Sequence, residues 1–202
     1  MKEKILKEAQ VLFWKYGVKS VTMDYISKNL GISKKTIYQY FLDKDKIVLE
    51  VILDYMRGQN EEVEEIFSSS QDSIHELFML SSHITKTCGS IYPSLFYDLK
   101  KYHFNAYEIF QEHKRKCLLK SIIKNLQKGI EEGLYRKDIN IMVIAKLRME
   151  EIELGFNQEI FPSKDFKLNE VQIEFFNHFI YGITTVKGHK LLNKYKKINE
   201  EE

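Results

Sequence analysis

The chain has 202 residues, 44% of them apolar, with nine glycines, two prolines and two cysteines. That length and apolar share allow one large domain or two small ones with a packed interior, and two thiols, Cys88 and Cys117, exclude a disulfide framework or a cysteine-rich zinc site. The formal net charge of +2 is too small for a basic nucleic-acid coat, yet residues 1–50 carry ten lysines against six carboxylates, so the positive excess sits at the N-terminus.

Few glycines and prolines favour helices throughout. Ile5, Leu6, Ala9, Leu12, Phe13 and Tyr16 recur at helical spacing, and Gly17 ends that helix. Thr22 is a good N-cap for a second helix, with Asp24 in its first turn and Ile26 and Leu30 on one face. Gly31 stops it, and Ser33 caps a third helix beginning at Lys34, Lys35 and Thr36. Two short helices joined by a few residues around a glycine cross steeply, which is the helix-turn-helix unit. Asp43 caps a fourth helix predicted to run to about Phe67, with Ile47, Val48, Val51, Ile52 and Tyr55 as its apolar face. Ser68, Ser69 and Ser70 form a polar break.

Beyond the serines the chain stays helical. Ile74, Leu77, Phe78, Leu80 and Ile84 read as one helix, interrupted at Gly89. Another is predicted over 92–104 with Pro93 in its first turn. A long one over 107–133 carries Leu118, Leu119, Ile122, Ile123 and Leu126. Helices over 140–156 and 169–187 follow, and the charged tail KYKKINEE is expected to fray. The predicted fold is all-α, with a helix-turn-helix domain over 1–50 joined by the fourth helix to a helical domain over 51–202.

The segment TMDYISKNLGISKKTIYQYFLDKDK, residues 22–46, carries a recognisable signature. A helix ending in Leu30-Gly31 precedes a cap, a lysine, a variable residue, Thr36, Ile37, Tyr38, two further residues and Phe41. Phe41-Leu42-Asp43-Lys44-Asp45-Lys46 then links into a lysine-bearing helix. This resembles the DNA-binding signature of the TetR family of transcriptional regulators over residues 5–52. Beyond it, the helical plan and the turn Gly133-Leu134-Tyr135-Arg136-Lys137-Asp138 are similar.

A recognition helix presents its N-terminal residues to base edges in the major groove. Here these are Ser33, Lys34, Lys35 and Thr36. Lysine can donate to guanine O6 and N7, Thr36 can touch a thymine methyl, and Gln39 can read adenine or only line the groove. Ile37 and Phe41 point back to the core. The resemblance implies phosphate contacts from Thr22, Tyr38, Tyr40 and Lys44, and a phenolic hydroxyl or an ammonium suits a phosphate.

The resemblance also implies that the last two long helices pair with a second subunit and that the middle helices enclose a ligand. One recognition helix reads too few base pairs alone, so a homodimer on a palindromic double-stranded operator is expected. Ile173, Phe176, Phe179, Ile180 and Ile183 are the expected dimer face. Phe78, Met79, His83, Tyr92, Phe96, Tyr97, His103, Tyr107 and Met149 are the expected pocket residues, apolar walls with polar tips. The main reading is a ligand-released repressor. The alternative is a DNA-tethered helical protein whose C-terminal half binds a protein partner.

Other chemistry is poorly supported. His113 and Cys117, four apart, could share a helix face as metal ligands, but no further ligand lies nearby; His75 and His83 are weaker still. There is no P-loop, no G-x-S-x-G and no dinucleotide fingerprint. No enzyme activity, metal or cofactor is expected. MKEKILKEAQ lacks the apolar run of a signal peptide, and no stretch approaches the ~20 apolar residues of a membrane span. A cytoplasmic protein with no membrane partner is expected.

Overall fold

A computed structural model describes residues 1–197, and the last residues of the tail expected to fray, 198–202, lie outside the described residues. The described chain is all-α. Its helices are α1 (Lys2–Tyr16), α2 (Met23–Leu30), α3 (Lys34–Tyr38), α4 (Lys44–Ser69), α5 (Ser73–Ser90), α6 (Leu95–Tyr102), α7 (Phe104–His113), α8 (Leu119–Glu131), α9 (Ile141–Leu154), α10 (Leu168–Ile183) and α11 (Val186–Lys196). A π-helical turn, Lys114–Leu118, joins α7 to α8 without a break.

Side-chain caps set the starts of the first helices. Thr22, Ser33 and Asp43 accept hydrogen bonds from the backbone N–H groups of Tyr25, Thr36 and Lys46. Each meets a donor that the helix leaves unpaired, worth about 1 kcal/mol. Gly31 ends α2 in the left-handed region at φ 64°, the conformation that turns the chain into α3.

Several boundaries differ from the sequence expectation. The helix predicted over 169–187 is two helices. Thr184 is extended, Thr185 caps α11 through Gly188 N–H, and the loop after α8 ties into the gap. Arg136 N–H donates to the Ile183 carbonyl and Thr185 N–H to the Leu134 carbonyl, each at 2.9 Å. The helix predicted over 92–104 is only α6, because Pro93 sits in the turn before it and His103 leaves helical geometry after it. Gly89 lies inside α5, and Ser68 and Ser69 inside α4.

Two apolar clusters form. The first gathers Ile5, Phe13, Val18, Ile26, Ile37 and Phe41 with Ile47 and Val51 of α4, and continues into Leu95 and Leu99 of α6. The second joins α5, α8, α10 and α11 through Ile74, Leu77, Leu126, Tyr135, Ile180 and Leu192. Tyr135 is wholly buried and its hydroxyl donates at 2.9 Å to the Ser73 carbonyl.

This second cluster corrects the expected dimer face. Phe176, Phe179, Ile180 and Ile183 are buried within the single chain, and only Ile173 is partly exposed. The buried apolar face of α10 packs against α5 within the chain. The exposed apolar stripe lies instead on α9, where Val143 is 59% and Leu147 52% exposed, with Met142 beside them.

Candidate DNA-binding face and sensing cavity

The expected DNA-contacting side chains cluster around α3 and the starts of α2 and α4. Ile37 and Phe41 are buried beneath them, which forces Tyr38, Gln39 and Tyr40 outward. Ser33, Lys34 and Lys35 are exposed at the α3 N-terminus, and Thr36 is half-buried. Ser33 Oγ lies 2.8 Å from Thr36 Oγ1, so the two hydroxyls are held together. Lys34 forms an ion pair with Asp24 at 3.1 Å, which raises its pKa and must be exchanged for any contact to a base. Thr22 is exposed while capping α2.

Lys44 differs from a simple surface phosphate contact. Its ammonium donates to the Val18 carbonyl at 2.5 Å and is half-buried, and burial lowers its pKa. Two of its three N–H donors remain. Lys44 thus fastens the start of α4 to the turn after α1.

The α6 region grips that same turn. Asp98 accepts from Lys19 N–H at 3.1 Å, and the Tyr92 ring lies so close to Gly17 that a Cβ there would be 2.9 Å from it. Gly17 also has φ 79°, so both space and backbone require glycine. His103 Nδ1 meets Asp45 Oδ1 at 2.5 Å, joining the α6–α7 corner to the first turn of α4. Burial lowers the His103 pKa more than Asp45 raises it.

A cavity of about 250 Å³ opens between α4, α5, α6, α7, the π turn, α8, α9 and α10. From α4 it takes Tyr55, Met56, Gln59, Asn60, Val63 and Phe67. Leu77, Leu80, Ile84 and Cys88 follow the period of α5, and Arg148, Ile152 and Phe156 come from α9 and its end. The π turn admits an extra residue per turn, a distortion frequent at functional sites, and brings Lys114, Cys117 and Leu118 to the wall. Burial pushes the Cys88 thiol up to about 11 and raises the Tyr55 phenol well above its ordinary value.

Tyr55 touches both regions. It lines the cavity, and its ring packs edge-on against Trp14 of α1 with centroids 5.1 Å apart.

Of the expected pocket residues, only His83 and Phe96 line this cavity. Phe78 stacks on Tyr195, which also stacks on His75, and Met79 is exposed, because both occupy the wrong phase of α5. Tyr92 lies in an open groove against α1. Tyr97 faces solvent beside Lys101, and His103 belongs to the α4 junction. Tyr107 donates to Glu153 at 3.1 Å, and Met149 is buried away from the cavity. Tyr55, Arg148, Lys114 and Cys88 were missed. Arg148 had a readable signal: it lies in phase with Ile141, Ile144, Ala145 and Ile152, on a face otherwise apolar. His113 and Cys117 both line the cavity. Among the described residues no three His, Cys, Asp or Glu side chains converge as metal ligands.

Comparison with known proteins places the first region among them. Residues 5–51 match the model of bacterial regulatory proteins, tetR family. The chain is 23% identical over 148 residues to the HTH-type transcriptional repressor KstR2 of Mycolicibacterium smegmatis, covering 72% of each chain. It is 24% identical over 152 residues to the HTH-type transcriptional regulator YhgD of Bacillus subtilis, covering 72% of this chain and 79% of that one. A TetR-family regulator from Agrobacterium tumefaciens shares the fold with a TM-score of 0.76 at 16% identity, over 91% of this chain and 97% of that one. No described helix is long and apolar enough to cross a membrane.

Proposed function

We propose, from the premise that this chain belongs to the TetR family of DNA-binding transcriptional regulators, that it is a homodimeric repressor released from a palindromic operator when a small molecule fills the cavity. Residues 1–50 read the operator and residues 51–202 sense and dimerise, with α4 shared between them. Tyr38, Tyr40, Thr22 and the free donors of Lys44 hold phosphates, while Lys34, Lys35, Thr36 and Gln39 face base edges. The protein works in the bacterial cytoplasm and is not an enzyme.

The observation that carries this reading is the Tyr55–Trp14 contact. A ligand pressing on Tyr55 pushes on α1, which packs against α4 and against α2, the helix that precedes the recognition helix. The same helix α4 carries Lys44 at its DNA end. Two recognition helices in a dimer must match major grooves about 34–36 Å apart, so a small tilt of α4 mis-spaces them. The ligand must prefer the state that DNA does not, because only differential affinity moves the balance.

The second subunit is proposed to cover the α9 stripe of Met142, Val143 and Leu147, with Ile173 and Tyr181 of α10 beside it. Met142, Val143 and Leu147 are exposed among the described residues, and Ile173 and Tyr181 are only partly covered. The alternative reading, a protein partner in place of a small ligand, has less support because a mostly apolar cavity opens beside the core of the C-terminal half.

The experiment is reciprocal titration. A compound found by thermal-shift screening is titrated into the protein with and without operator. Operator should weaken ligand binding by the factor by which ligand weakens operator binding. Equal ligand affinity in both conditions overturns the mechanism.

A further inference from the structure

Arg148 is buried on an apolar helix face, with its side chain 4% exposed. Phe176 and Phe179 hold the guanidinium against their ring faces, 5.0 and 5.7 Å from the centroids. Arginine has five N–H donors. Among the described residues the guanidinium makes one side-chain hydrogen bond, Nη1 to Glu151 Oε2, and at 3.3 Å it is long. The remaining donors are not sealed in, since the fully enclosed side-chain atoms without a partner are Ser73 Oγ and Thr184 Oγ1. Arg148 is one of the residues that line the cavity. Arginine keeps its proton in proteins, so a permanent positive charge short of acceptors stands in an otherwise oily wall.

The rest of the lining adds one further cation, Lys114, and two imidazoles. Lys114, His83 and His113 reach the cavity, and no Asp or Glu lines it. The carboxylates that balance them stand behind: Glu153 lies 2.6 Å from Lys114, and Glu62 3.1 Å from His83. A cationic ligand would face Arg148 and Lys114, and among the described residues no acid lines the cavity. A neutral hydrocarbon would leave the Arg148 donors unmet. A carboxylate matches the guanidinium fork with two parallel hydrogen bonds.

We infer that the effector is an apolar monocarboxylate, its carboxylate on Arg148 and its hydrocarbon body along Leu80, Ile84, Phe96 and Phe156. This rests on the cavity being the effector site, as proposed above. At about 30 Å³ for each water-sized group, a 250 Å³ cavity holds roughly eight such groups, the scale of a medium-length acid.

Octanoate, 1-octanol and octyltrimethylammonium are titrated calorimetrically into the full chain. Octanoate should bind at least tenfold more tightly than octanol, and the cation should not bind. Arg148→Gln should bring octanoate down to the level of octanol. Glu151→Gln, which removes the competing charge, should tighten octanoate severalfold and leave octanol unchanged. Ile84→Trp, which fills the cavity, should abolish binding of both. If Arg148→Gln fails to fold, Glu151→Gln carries the test, because Glu151 is at the rim of the pair and partly solvated. Octanol binding as tightly as octanoate, with Ile84→Trp blocking both, overturns the carboxylate assignment and leaves the cavity as effector site. A Glu151→Gln variant that binds octanoate no more tightly also overturns it. Octanoate binding that survives Ile84→Trp, or no binding by any of the three, overturns both readings.

Discussion

The DNA-binding face and the cavity solve opposite problems with the same residue types. Around α3 the charged and phenolic groups are outside and the apolar ones inside, so Lys34, Lys35, Tyr38 and Tyr40 stand in water above Ile37 and Phe41. In the sensing half a guanidinium and an ammonium, Arg148 and Lys114, are turned inward onto an apolar wall. Exposed charges interact weakly one by one and are screened by salt, which suits a polyanion met by many contacts at once. A buried charge interacts strongly with a single partner and is costly without one, which suits a small ligand. The proposed function thus calls on two kinds of recognition, joined by α4 and by the contact of Tyr55 with Trp14.

The sharpest way to break this comparison is to put a charge on each side of the α9–α10 layer. Ile180→Asp leaves an unpaired carboxylate in the second core and should cost roughly 3–5 kcal/mol, giving aggregated or unfolded chain by circular dichroism. Leu147→Asp, on the proposed partner face, should leave a folded monomer by light scattering and weaken operator binding on the order of a hundredfold, as bivalency is lost. A folded dimer from Leu147→Asp would move the interface elsewhere.

At the DNA face, Thr36→Ala should change the preferred base at one position in each half-site, a discrimination of about 1–3 kcal/mol. Lys44→Ala should weaken all sequences about equally and reduce the slope of log affinity against log salt by about one per subunit. It should also lower thermal stability by about 1 kcal/mol, because the bond to the Val18 carbonyl is lost. Altered base preference from Lys44→Ala, with an unchanged salt slope, would reverse the two roles.

Between the two regions, Tyr55→Ala should reduce ligand–operator coupling by about 0.5–2 kcal/mol while operator affinity without ligand stays near that of the native chain. Trp14 is the only tryptophan, so its emission reports the contact directly. Unchanged coupling would leave α4 as the sole link.

The smallest effect concerns pH. Burial holds the His103 pKa below its ordinary value, so the folded state favours the neutral ring. The unfolded chain then binds more protons as pH falls through about 6.5, and stability conferred by the neutral ring is lost on acidification. Melting temperature should drop by at most a few degrees from this group between pH 7 and 5.5. His103→Gln should flatten that slope, and an unaltered slope would assign it to other groups.

The helix-turn-helix was readable because its signals are local. Caps, glycines and the alternation of Ile37 and Phe41 with Tyr38 and Tyr40 lie within about twenty residues. The cavity was not, because it depends on the phase of separate helices. Phe78 and Met79 are one or two residues from Leu77 and Leu80, yet they point away. The break at Thr184 was hidden for a similar reason: its partners, Leu134 and Arg136, lie some fifty positions earlier. The hydrophobicity of Phe176 and Phe179 was evident, but whether they faced a partner or their own chain was decided by α5. Arg148 shows what such a reading can recover, since a lone arginine on an apolar helix face is visible before any contact is known.

The central claim is that α3 reads a twofold-symmetric operator. Selection of bound duplexes from a random pool tests it most directly. The account predicts an enriched inverted repeat whose half-site centres are about one helical turn, 34–36 Å, apart or a multiple of that spacing, with Thr36→Ala altering the same position in both halves. An enriched site without internal symmetry, or no enrichment above the starting pool, would contradict it.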